Sequence, residues 1–336
     1  MKPERAADLR PLRLGPETST MSGYMLRRLL GSIVVMWAVA TLVFFMLRLV
    51  PGDPLGAMLF DVGDADDIEA MRALYGLDQP MYVQYVKWFW QLLQGNLGSS
   101  IYGSRVPVAT IILEAVPRTL SLAGLSFAVA LIIAVPAGLV AAIHKQTRLD
   151  DTMSLFAFLG LSMPDFWLGI LLIILFAAHL QWLPAIGYAP LSEGLWPWLS
   201  HLILPAIAAG TFFSAIVARM IRSSMLEVLN SDFIQAARAK GLFESRLVLV
   251  HAFPNALIPV LTVMGIAFAL LMQGTVVIEN VFAIKGLGRV LIQGILNRDY
   301  PVVQGAILVV SALFVFTNLL VDILYTVVDP RIRLEQ

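Results

Sequence analysis

The feature that most constrains this fold is a set of apolar segments, each long enough to cross a lipid bilayer. A membrane-spanning helix needs roughly 20 predominantly apolar residues. Six segments meet this requirement: Leu29–Leu49, Thr119–Ile143, Thr152–Ala178, Leu202–Ile221, Ala256–Glu279 and Gln304–Val328. Charged residues make up 14% of the chain, whereas a soluble domain has about 25%. The sequence therefore predicts an all-α membrane protein with six transmembrane helices.

The distribution of positive charge predicts how these helices are oriented. Most of the 23 Lys and Arg residues lie on the side of the membrane that holds the N-terminus. Because Lys and Arg are enriched in cytoplasmic loops, both termini are expected to be cytoplasmic. The predicted organisation is a cytoplasmic tail over 1–28, a first span over 29–49, an extracytoplasmic insertion over 50–118, a transmembrane core over 119–328 and a second cytoplasmic tail over 329–336.

Several classes of function find no support in the residues. The formal net charge is zero, so there is no electrostatic case for a nucleic-acid partner. Cysteine is absent, which excludes disulfides, thiolate metal sites and cysteine nucleophiles. The four histidines show no metal-ligand spacing, and the chain has no G-x-x-x-x-G-K-[ST] phosphate loop. We therefore expect no cofactor, metal or catalytic site in this chain.

The polar loop between the fourth and fifth predicted spans, Ser231–Pro254, is basic and helix-forming. Its first part predicts a short helix over Asp232–Lys240, followed by Gly241 at the position where glycine is favoured after a helix. Small side chains at 236, 237 and 239 make this helix slim, so that a groove of another protein can approach the backbone closely. Arg238, Lys240 and Arg246 would add polar contacts at the rim of such a groove.

A second short helix is predicted over Glu244–Ala252, because Pro254 disfavours its continuation. Two short helices standing off the membrane would form a rigid element, and a partner protein that moves would pull the flanking spans with it. Alternatively, the apolar side chains of this region would rest on lipid headgroups; they are Leu242, Leu247, Leu249 and Val250. The residues alone leave both interpretations open.

The extracytoplasmic insertion combines an acidic stretch, Asp61–Glu69, with an aromatic stretch, Met81–Gln94, whose rings suit the membrane–water boundary. Two interpretations are consistent with this composition. The insertion is either a small external domain that docks a partner or gates an opening, or a lid that packs on the bundle.

Polar residues inside the predicted spans are costly in lipid, and they usually face the bundle interior or a cavity. The candidates are Asp165, Gln273, Glu279, Asn318 and Asp322. Asp165 follows Pro164 in the middle of the third span, where a broken helix would expose backbone carbonyls, and we expect it nearest to a translocation path. Gln273 and Glu279 are the other two candidates for that path. For all five residues, hydrogen bonding to a neighbouring helix is favoured over contact with a transported solute.

The run Gln235-Ala236-Ala237, then Gly241, then His251-Ala252-Phe253-Pro254 resembles the EAA loop of bacterial ABC importer permeases, with matching gaps. Gln235 replaces the usual Glu of that motif, and Phe253 replaces the usual Leu. The resemblance assigns ATPase coupling to residues of the loop 230–254, namely Gln235, Ala236, Ala237, Arg238, Lys240, Gly241, His251 and Pro254.

Other segments resemble the peptide-importing branch of these permeases, which comprises dipeptide and oligopeptide permeases and their nickel-importing relatives. They are Pro51-Gly52-Asp53-Pro54, Gly76-Leu77-Asp78-Gln79-Pro80, Ser162-Met163-Pro164, Phe166-Trp167-Leu168-Gly169, Arg298-Asp299-Tyr300-Pro301 and Asp329-Pro330-Arg331. The segment Ala283-Ile284-Lys285-Gly286 departs from the branch, which commonly has Trp-Pro-Gly or a similar pair there. This departure places a charge in an outer loop.

The resemblance implies the type I permease fold of ABC importers, and a permease subunit that moves peptides or similar small solutes into the cytoplasm. It further implies a homologous second permease subunit, two cytoplasmic ATPases that bind ATP and magnesium, an extracytoplasmic substrate-binding protein, and a place in the bacterial inner membrane. The alternative is a stand-alone secondary transporter. Such proteins often show an inverted repeat and paired membrane-embedded charges, and the sequence shows neither convincingly.

Overall fold

The computed structural model describes residues 21–49, 78–102 and 106–328, which form helices joined by turns and short loops. The helices are α1 (Met21–Leu49), α2 (Met81–Leu93), α3 (Val108–Ile143), α4 (Arg148–Ser162), α5 (Asp165–His179), α6 (Leu195–Leu229), α7 (Asp232–Ala239), α8 (Glu244–Val281), α9 (Leu287–Leu296) and α10 (Tyr300–Val328). Among these residues, five helices are long and apolar enough to cross a membrane, and α4 with α5 makes a sixth span if the pair is counted as one. The predicted fold class is therefore confirmed. The predicted N-terminal tail over 1–28 is helical from Met21 onward, where it forms the start of α1. Residues 1–20 and 329–336, the acidic stretch and the motif at 51–54 lie outside the described residues.

The core of the bundle lies between α3, α6 and α8. Val217 of α6 and Val260 and Leu271 of α8 are buried in one cluster with small residues of α3. The backbones of α3 and α6 approach so closely that a Cβ built on Gly138 would lie 2.6 Å from the carbonyl oxygen of Ala218. Small residues at helix contacts are expected in lipid, where helices associate by close packing rather than by removing apolar surface from water.

The third predicted span, Thr152–Ala178, is broken rather than straight. α4 and α5 meet at an angle of 100°. Pro164 has no N–H and disfavours helical geometry in the residue before it, and Met163 is accordingly extended, with φ −90° and ψ 125°. Asp165 therefore stands at the first position of the second half of a broken span.

Helix α2, which covers the aromatic stretch, packs against the C-terminal half of α1. The Tyr85 hydroxyl lies 2.8 Å from Oγ1 of Thr41, and the Tyr85 ring stacks on Phe45 at 5.5 Å between centroids. Arg48 Nε donates to Oε1 of Gln84 at 3.0 Å. No residue of α2 is fully buried, so the helix uses only one face. This packing agrees with the lid interpretation for α2, and docking of a partner there stays a prediction.

The second short helix predicted before Pro254 is instead the beginning of α8. An α-helical turn at Glu244–Arg246 passes into a π-helical segment, Leu247–Ala252, and the chain then continues as α-helix through Pro254 to Val281. The prediction that Pro254 ends the helix was wrong. The wider π-helical turns just before Pro254 leave room for its ring, and its missing N–H is tolerated in the first turn of the α-helix that follows. The polar loop is therefore one short helix followed directly by a long one.

Candidate coupling site

Helix α7 ends in a glycine turn that sets the direction of the following chain. The N–H of Gly241 donates to the carbonyl of Arg238 at 3.0 Å, and the N–H of Leu242 donates to the carbonyl of Ala237 at 3.4 Å. This pair of bonds is a Schellman motif, and it requires a left-handed residue, which glycine adopts without strain. Gly241 has φ +81°. We refer to residues 231–246, which comprise α7, this turn and the first three residues of α8, as the knob.

The knob is held to the bundle by one side chain of α7. Ile234 has no exposed surface, and it lies in one buried cluster with Met225 of α6 and with Leu247 and Val248 of α8. Burying such a side chain stabilises by about 1.5–3 kcal/mol. An isolated helix of eight residues is unstable in water, so this contact with α6 and α8 fixes the position of α7.

Most of the other knob residues are exposed. Ala236, Lys240 and Gly241 are exposed, and a Cβ built on Gly241 would meet no atom within 4 Å. Two aromatic side chains lie on the same surface: Phe233 is 50% exposed and Phe243 is 82% exposed. Sequence reasoning missed both. The sequence did contain a signal, because two large apolar residues stand in a short polar segment. Such side chains are usually buried, so their presence there indicates a contact surface.

Polar groups on the knob pair with one another across the turn. Arg238 donates from Nε and Nη2 to the two carboxylate oxygens of Glu244, at 2.5 and 3.1 Å. The carboxylate raises the pKa of Arg238, which stays charged throughout the physiological range. Gln235 Nε2 donates to the backbone carbonyl of Asn230 at 3.2 Å. These contacts brace both ends of α7.

Two polar contacts join the spans next to the knob. Ser224 Oγ donates to the carbonyl of Ala256 at 2.8 Å, which connects α6 to α8. Arg222 donates from Nε and Nη2 to the two oxygens of Asp150, each at 2.7 Å, which connects α6 to α4. Bidentate pairs of this kind are among the stronger hydrogen bonds in proteins. A displacement of α7 would therefore reach α6 and α8 directly, and α4 through α6.

The last two predicted coupling residues lie on α8 rather than on α7. His251 is half-buried in the π-helical segment, and its carbonyl accepts a hydrogen bond from Nδ2 of Asn255 at 2.7 Å. Pro254 is exposed close by. Ala237 is half-buried, on the side of α7 that faces the bundle. The structure thus divides the predicted residues into an exposed group on α7 and its turn, and a pair at the start of the long helix.

Glu279, the third candidate for the translocation path, is buried at the opposite end of the bundle, where α9 begins. Its Oε1 accepts from Oγ1 of Thr119 at 2.6 Å, and its Oε2 accepts from the N–H of Arg289 at 3.1 Å. The Thr119 hydroxyl oxygen also accepts from the N–H of Leu287 at 2.8 Å. A carboxylate at a helix N-terminus satisfies amide groups that otherwise lack partners. Glu279 joins α3, α8 and α9, and it has no exposed surface that a solute would touch in this conformation.

Asp165 and Gln273 are in a different situation from Glu279. Asp165 is half-buried, accepts from the N–H of Phe166 at 2.7 Å and has no ion pair among the described residues. Gln273 is exposed on α8, and no side-chain hydrogen bond joins it to the described part of the chain. Polar groups within a span usually face the bundle interior or a water-filled cavity. Asn318 is half-buried in α10, and the side chain of Asp322 lies outside the described residues.

Across residues 21–49, 78–102 and 106–328, no group of three His, Cys, Asp or Glu side chains is placed to hold a metal ion. The knob instead offers an exposed surface on a short helix that packs against α6 and α8. Such an arrangement can receive a force on one side of a membrane and pass it to the helices that cross it.

Two sequence families match this chain. The family described as the binding-protein-dependent transport system inner membrane component matches residues 134–334. The family of N-terminal regions of binding-protein-dependent transport system membrane components matches residues 21–123. The first match contains the whole knob and the spans on both sides of it.

Individual relatives match over nearly the whole chain. A putative peptide transport system permease protein of Brucella abortus is 46% identical over 313 residues, which is 93% of this chain and 99% of the relative. The glutathione transport system permease protein GsiC of Escherichia coli is 41% identical over 313 residues, with the same coverage. The oligopeptide transport system permease protein AppB of Bacillus subtilis is 38% identical over 315 residues, covering 93% of this chain and all of the relative.

A solved structure of the MetNI methionine ABC transporter in an inward-facing conformation contains a chain with the same fold. It matches with a TM-score of 0.56 and 19% sequence identity, covering 66% of this chain and 97% of the other. A second crystal form of the same transporter matches with a TM-score of 0.54 and 20% identity. The shared architecture is the type I permease fold of ABC importers, as the sequence resemblance implied.

Proposed function

Because this chain belongs to the family of binding-protein-dependent transport system inner membrane components, we propose that it is the permease of an ATP-driven importer whose solutes are peptides or similar small molecules. The names of its relatives support this choice of solute, since they are permeases of peptide, oligopeptide and glutathione transport systems. The substrate-binding protein of such a system would deliver the solute on the extracytoplasmic side. Both termini and the knob would then lie in the cytoplasm of a bacterial cell.

The observation that carries this proposal is the exposed surface of the knob. Ala236 and Gly241 leave its backbone open to close approach, and Phe233 and Phe243 present apolar area to water. Exposed aromatic residues beside charged ones are typical of protein interfaces. A cytoplasmic ATPase subunit would seat on this surface. A second, homologous permease would offer its own knob to a second ATPase.

The alternative partner for this loop is lipid. The packing of the apolar loop residues argues against lipid as the main partner. Leu247, one of the apolar residues that would have rested on headgroups, is buried inside the protein, and Leu242 is half-buried. Leu249 and Val250 are exposed. The apolar residues of the loop are thus divided between the core and the surface, whereas a helix lying on lipid needs them all on one exposed face.

The proposed mechanism is a change in population between two states of the bundle. ATP binding would bring the two ATPases together, and the knobs seated on them would follow. Taking a two-state equilibrium from 1:99 to 99:1 needs about 5.5 kcal/mol of differential binding. Closure of the ATPases on nucleotide is the step able to supply this free energy. ATP and magnesium would be held by the ATPases, so this chain would need no cofactor and would catalyse no reaction itself.

A solute path is proposed along the surface of the bundle that carries Asp165 and Gln273. Both lie in predicted spans; within the described part of the chain, Asp165 has no ion pair and the side chain of Gln273 has no hydrogen bond. The broken span at Asp165 also leaves carbonyl groups at the end of α4 without helical partners. A second permease packed against this surface would enclose the path. Nothing in the comparisons supports the alternative of a stand-alone secondary transporter.

The test of this proposal is reconstitution with the products of neighbouring reading frames. The tagged chain is co-expressed with the adjacent permease and ATPase genes, purified and placed in proteoliposomes with the adjacent binding protein. We expect stoichiometric recovery of ATPase subunits and uptake of radiolabelled peptide that requires ATP. Purification of this chain as an active monomer that transports without ATP would contradict the proposal.

A further inference from the structure

A cavity of about 280 Å³ opens at the α9 end of the bundle, between the first turns of α3 and the start of α9. Ile111 and Val290 form part of its wall, and three cationic residues line it: Arg118, Lys285 and Arg289. In the proposed orientation this is the extracytoplasmic end. The cavity includes Lys285, the charged residue at which the sequence departs from the pattern of the peptide-importing branch.

Among the described residues, few groups neutralise the cations of the cavity. Arg118 Nη1 donates to the backbone carbonyl of Lys285 at 3.0 Å, which orients its guanidinium group. The carboxylate of Glu114 lies 3.9 Å from Arg118, and this side chain is 65% exposed, so the pair is weak. The side chains of Lys285 and Arg289 form no hydrogen bond or ion pair with any described residue.

A second acidic group near this cavity, among the residues that the structure describes, is already engaged. Glu279 lies buried beneath the start of α9, where its oxygens accept from the Thr119 hydroxyl and from the backbone N–H of Arg289. Its carboxylate therefore serves backbone amides rather than the cationic side chains. The cavity itself holds three cations and one exposed carboxylate, and unpaired cations that share one cavity favour an anionic ligand.

We propose that this cavity binds the free carboxylate end of the transported peptide when it leaves its delivery protein; this inference rests on the proposed function. Lys285 and Arg289 would bind the carboxylate, and Ile111 and Val290 would contact the last side chain. A volume near the lower limit of small-molecule sites, which run from about 300 to 1,000 Å³, admits one end of a peptide rather than all of it.

The shape and rim of the cavity favour this ligand over two alternatives, a lipid headgroup and a docking protein. Glu114, Lys285 and Gln293 at the rim are exposed, so the opening is polar and faces water, whereas a lipid headgroup would need apolar surface for its chains. A concave site of this size also suits a solute better than the broad surface of a docking protein, whose contacts cover several hundred Å². Both remain distinguishable outcomes of the experiment below.

The experiment compares trialanine with trialanine amide, which differ in the terminal carboxylate. ATP-dependent uptake is measured in proteoliposomes holding the whole transporter, for the wild type and for Lys285→Gln and Arg289→Gln. The control is Arg298→Gln, which removes an exposed cation at the same end of the bundle but outside the cavity. For each peptide, the half-saturating concentration of a variant is divided by that of the wild type measured with the same binding protein. The selectivity of the binding protein therefore cancels from the ratio.

We expect each cavity variant to raise the half-saturating concentration for trialanine roughly tenfold, the effect of losing one charge-assisted contact. Trialanine amide should be handled as by the wild type, and Arg298→Gln should change neither peptide. An equal loss for both peptides would overturn the inference in favour of docking by the binding protein. A loss that appears only in vesicles containing phosphatidylglycerol would overturn it in favour of a lipid. Absence of ATP-dependent uptake of both peptides in the wild type would instead overturn the proposed function, and this inference with it.

Discussion

Helices α2 and α7 end in the same glycine turn at opposite ends of the bundle, yet they are held in different ways. At the end of α2, the N–H of Gly95 donates to the carbonyl of Leu92 and the N–H of Asn96 to that of Gln91, each at 2.9 Å. Gly95 has φ +78° and Gly241 has φ +81°, and a Cβ on either would meet no atom within 4 Å. The two helices therefore have the same C-terminal turn, and they differ in what each helix packs against.

The difference is the depth at which each helix is anchored. α7 buries Ile234 completely among residues of two spans. α2 buries no residue completely and lies on α1 through aromatic rings such as Tyr85. A helix that transmits force must share a core with the elements it moves, because a close-packed core transmits strain. A helix that only covers a surface needs no such anchor. The comparison predicts that damage to α7 stops transport and that equivalent damage to α2 does not.

The largest effect is expected from Ile234→Ala. Removing a buried isoleucine side chain costs about 2–5 kcal/mol, which is enough to detach α7 from the bundle while the long spans remain folded. Transport should be abolished, and amide hydrogen exchange in residues 232–239 should rise. The control Tyr85→Ala removes a larger side chain from α2 and should leave uptake within about threefold of wild type. Normal transport by Ile234→Ala would mean that the anchor is not needed for coupling.

Gly241→Leu should have the next largest effect, and Gly95→Leu is its matched control. Both substitutions place a side chain in a left-handed conformation, which costs about 1–2 kcal/mol, and both enter open space. Membrane insertion should be intact in both variants. Uptake should fall roughly tenfold in Gly241→Leu alone, because its side chain occupies the surface where the ATPase approaches. The backbone strain of about 1–2 kcal/mol is common to both variants, so strain alone would lower uptake equally in both. Equal uptake by the two variants would remove the distinction between the two helices.

The sequence predicted where α7 ends, but it predicted neither the burial of α7 nor the course of α8. The stop at Gly241 follows from local chemistry, and the predicted helix Asp232–Lys240 ends within one residue of the observed Asp232–Ala239. The burial of Ile234 depends on α6 and α8, so no local pattern revealed it. The passage of α8 through Pro254 was predicted incorrectly, because it depends on a π-helical segment, a rare element that residue preferences do not predict.

Phe243→Ala should have a smaller effect that concerns the partner rather than the fold. The side chain is 82% exposed, so the stability of the chain should not change measurably. An aromatic side chain buried at an interface commonly contributes about 1–3 kcal/mol, so the affinity for purified ATPase subunits should fall about fivefold or more. The control is Trp90→Ala on α2, where the side chain is 63% exposed and should not affect ATPase binding. Unchanged affinity in Phe243→Ala would place the ATPase contact elsewhere.

Gln235→Glu should have the smallest effect, and it tests the departure from the usual motif. A carboxylate here loses the hydrogen bond that Gln235 donates to the carbonyl of Asn230, and is then available to a basic group of a partner. We expect ATPase binding to strengthen about twofold to threefold, in the range of an exposed ion pair, and to return to the wild-type value at high salt. Weaker binding, insensitive to salt, would show that the internal hydrogen bond matters more than the charge.

The charged groups at the α9 end show where sequence reasoning stops. Thr119 and Glu279 are far apart in the chain, as are Arg118 and Lys285, and each pair meets only because α3 packs beside the turn before α9. From the sequence, Glu279 is a polar residue within a predicted span. Nothing in the sequence indicates that a backbone amide of α9 would donate to it. Lys285 was noticed only as a departure in an outer loop. The cavity it lines with Arg118 and Arg289 is a product of tertiary packing.

The account depends on an ATPase seated on α7, and the absence of cysteine from the chain allows a direct measurement of that contact. Ala236→Cys places a single thiol on the exposed face of α7, and Gln94→Cys places one at the end of α2. The rate of reaction with a water-soluble maleimide is measured in lipid nanodiscs with and without the ATPase subunits. The account predicts rapid labelling at both positions alone, and at least tenfold protection of position 236 only, when the ATPases are added. Slow labelling of position 236 in nanodiscs without ATPases, unchanged by their addition, would show that α7 lies against lipid and would contradict the account.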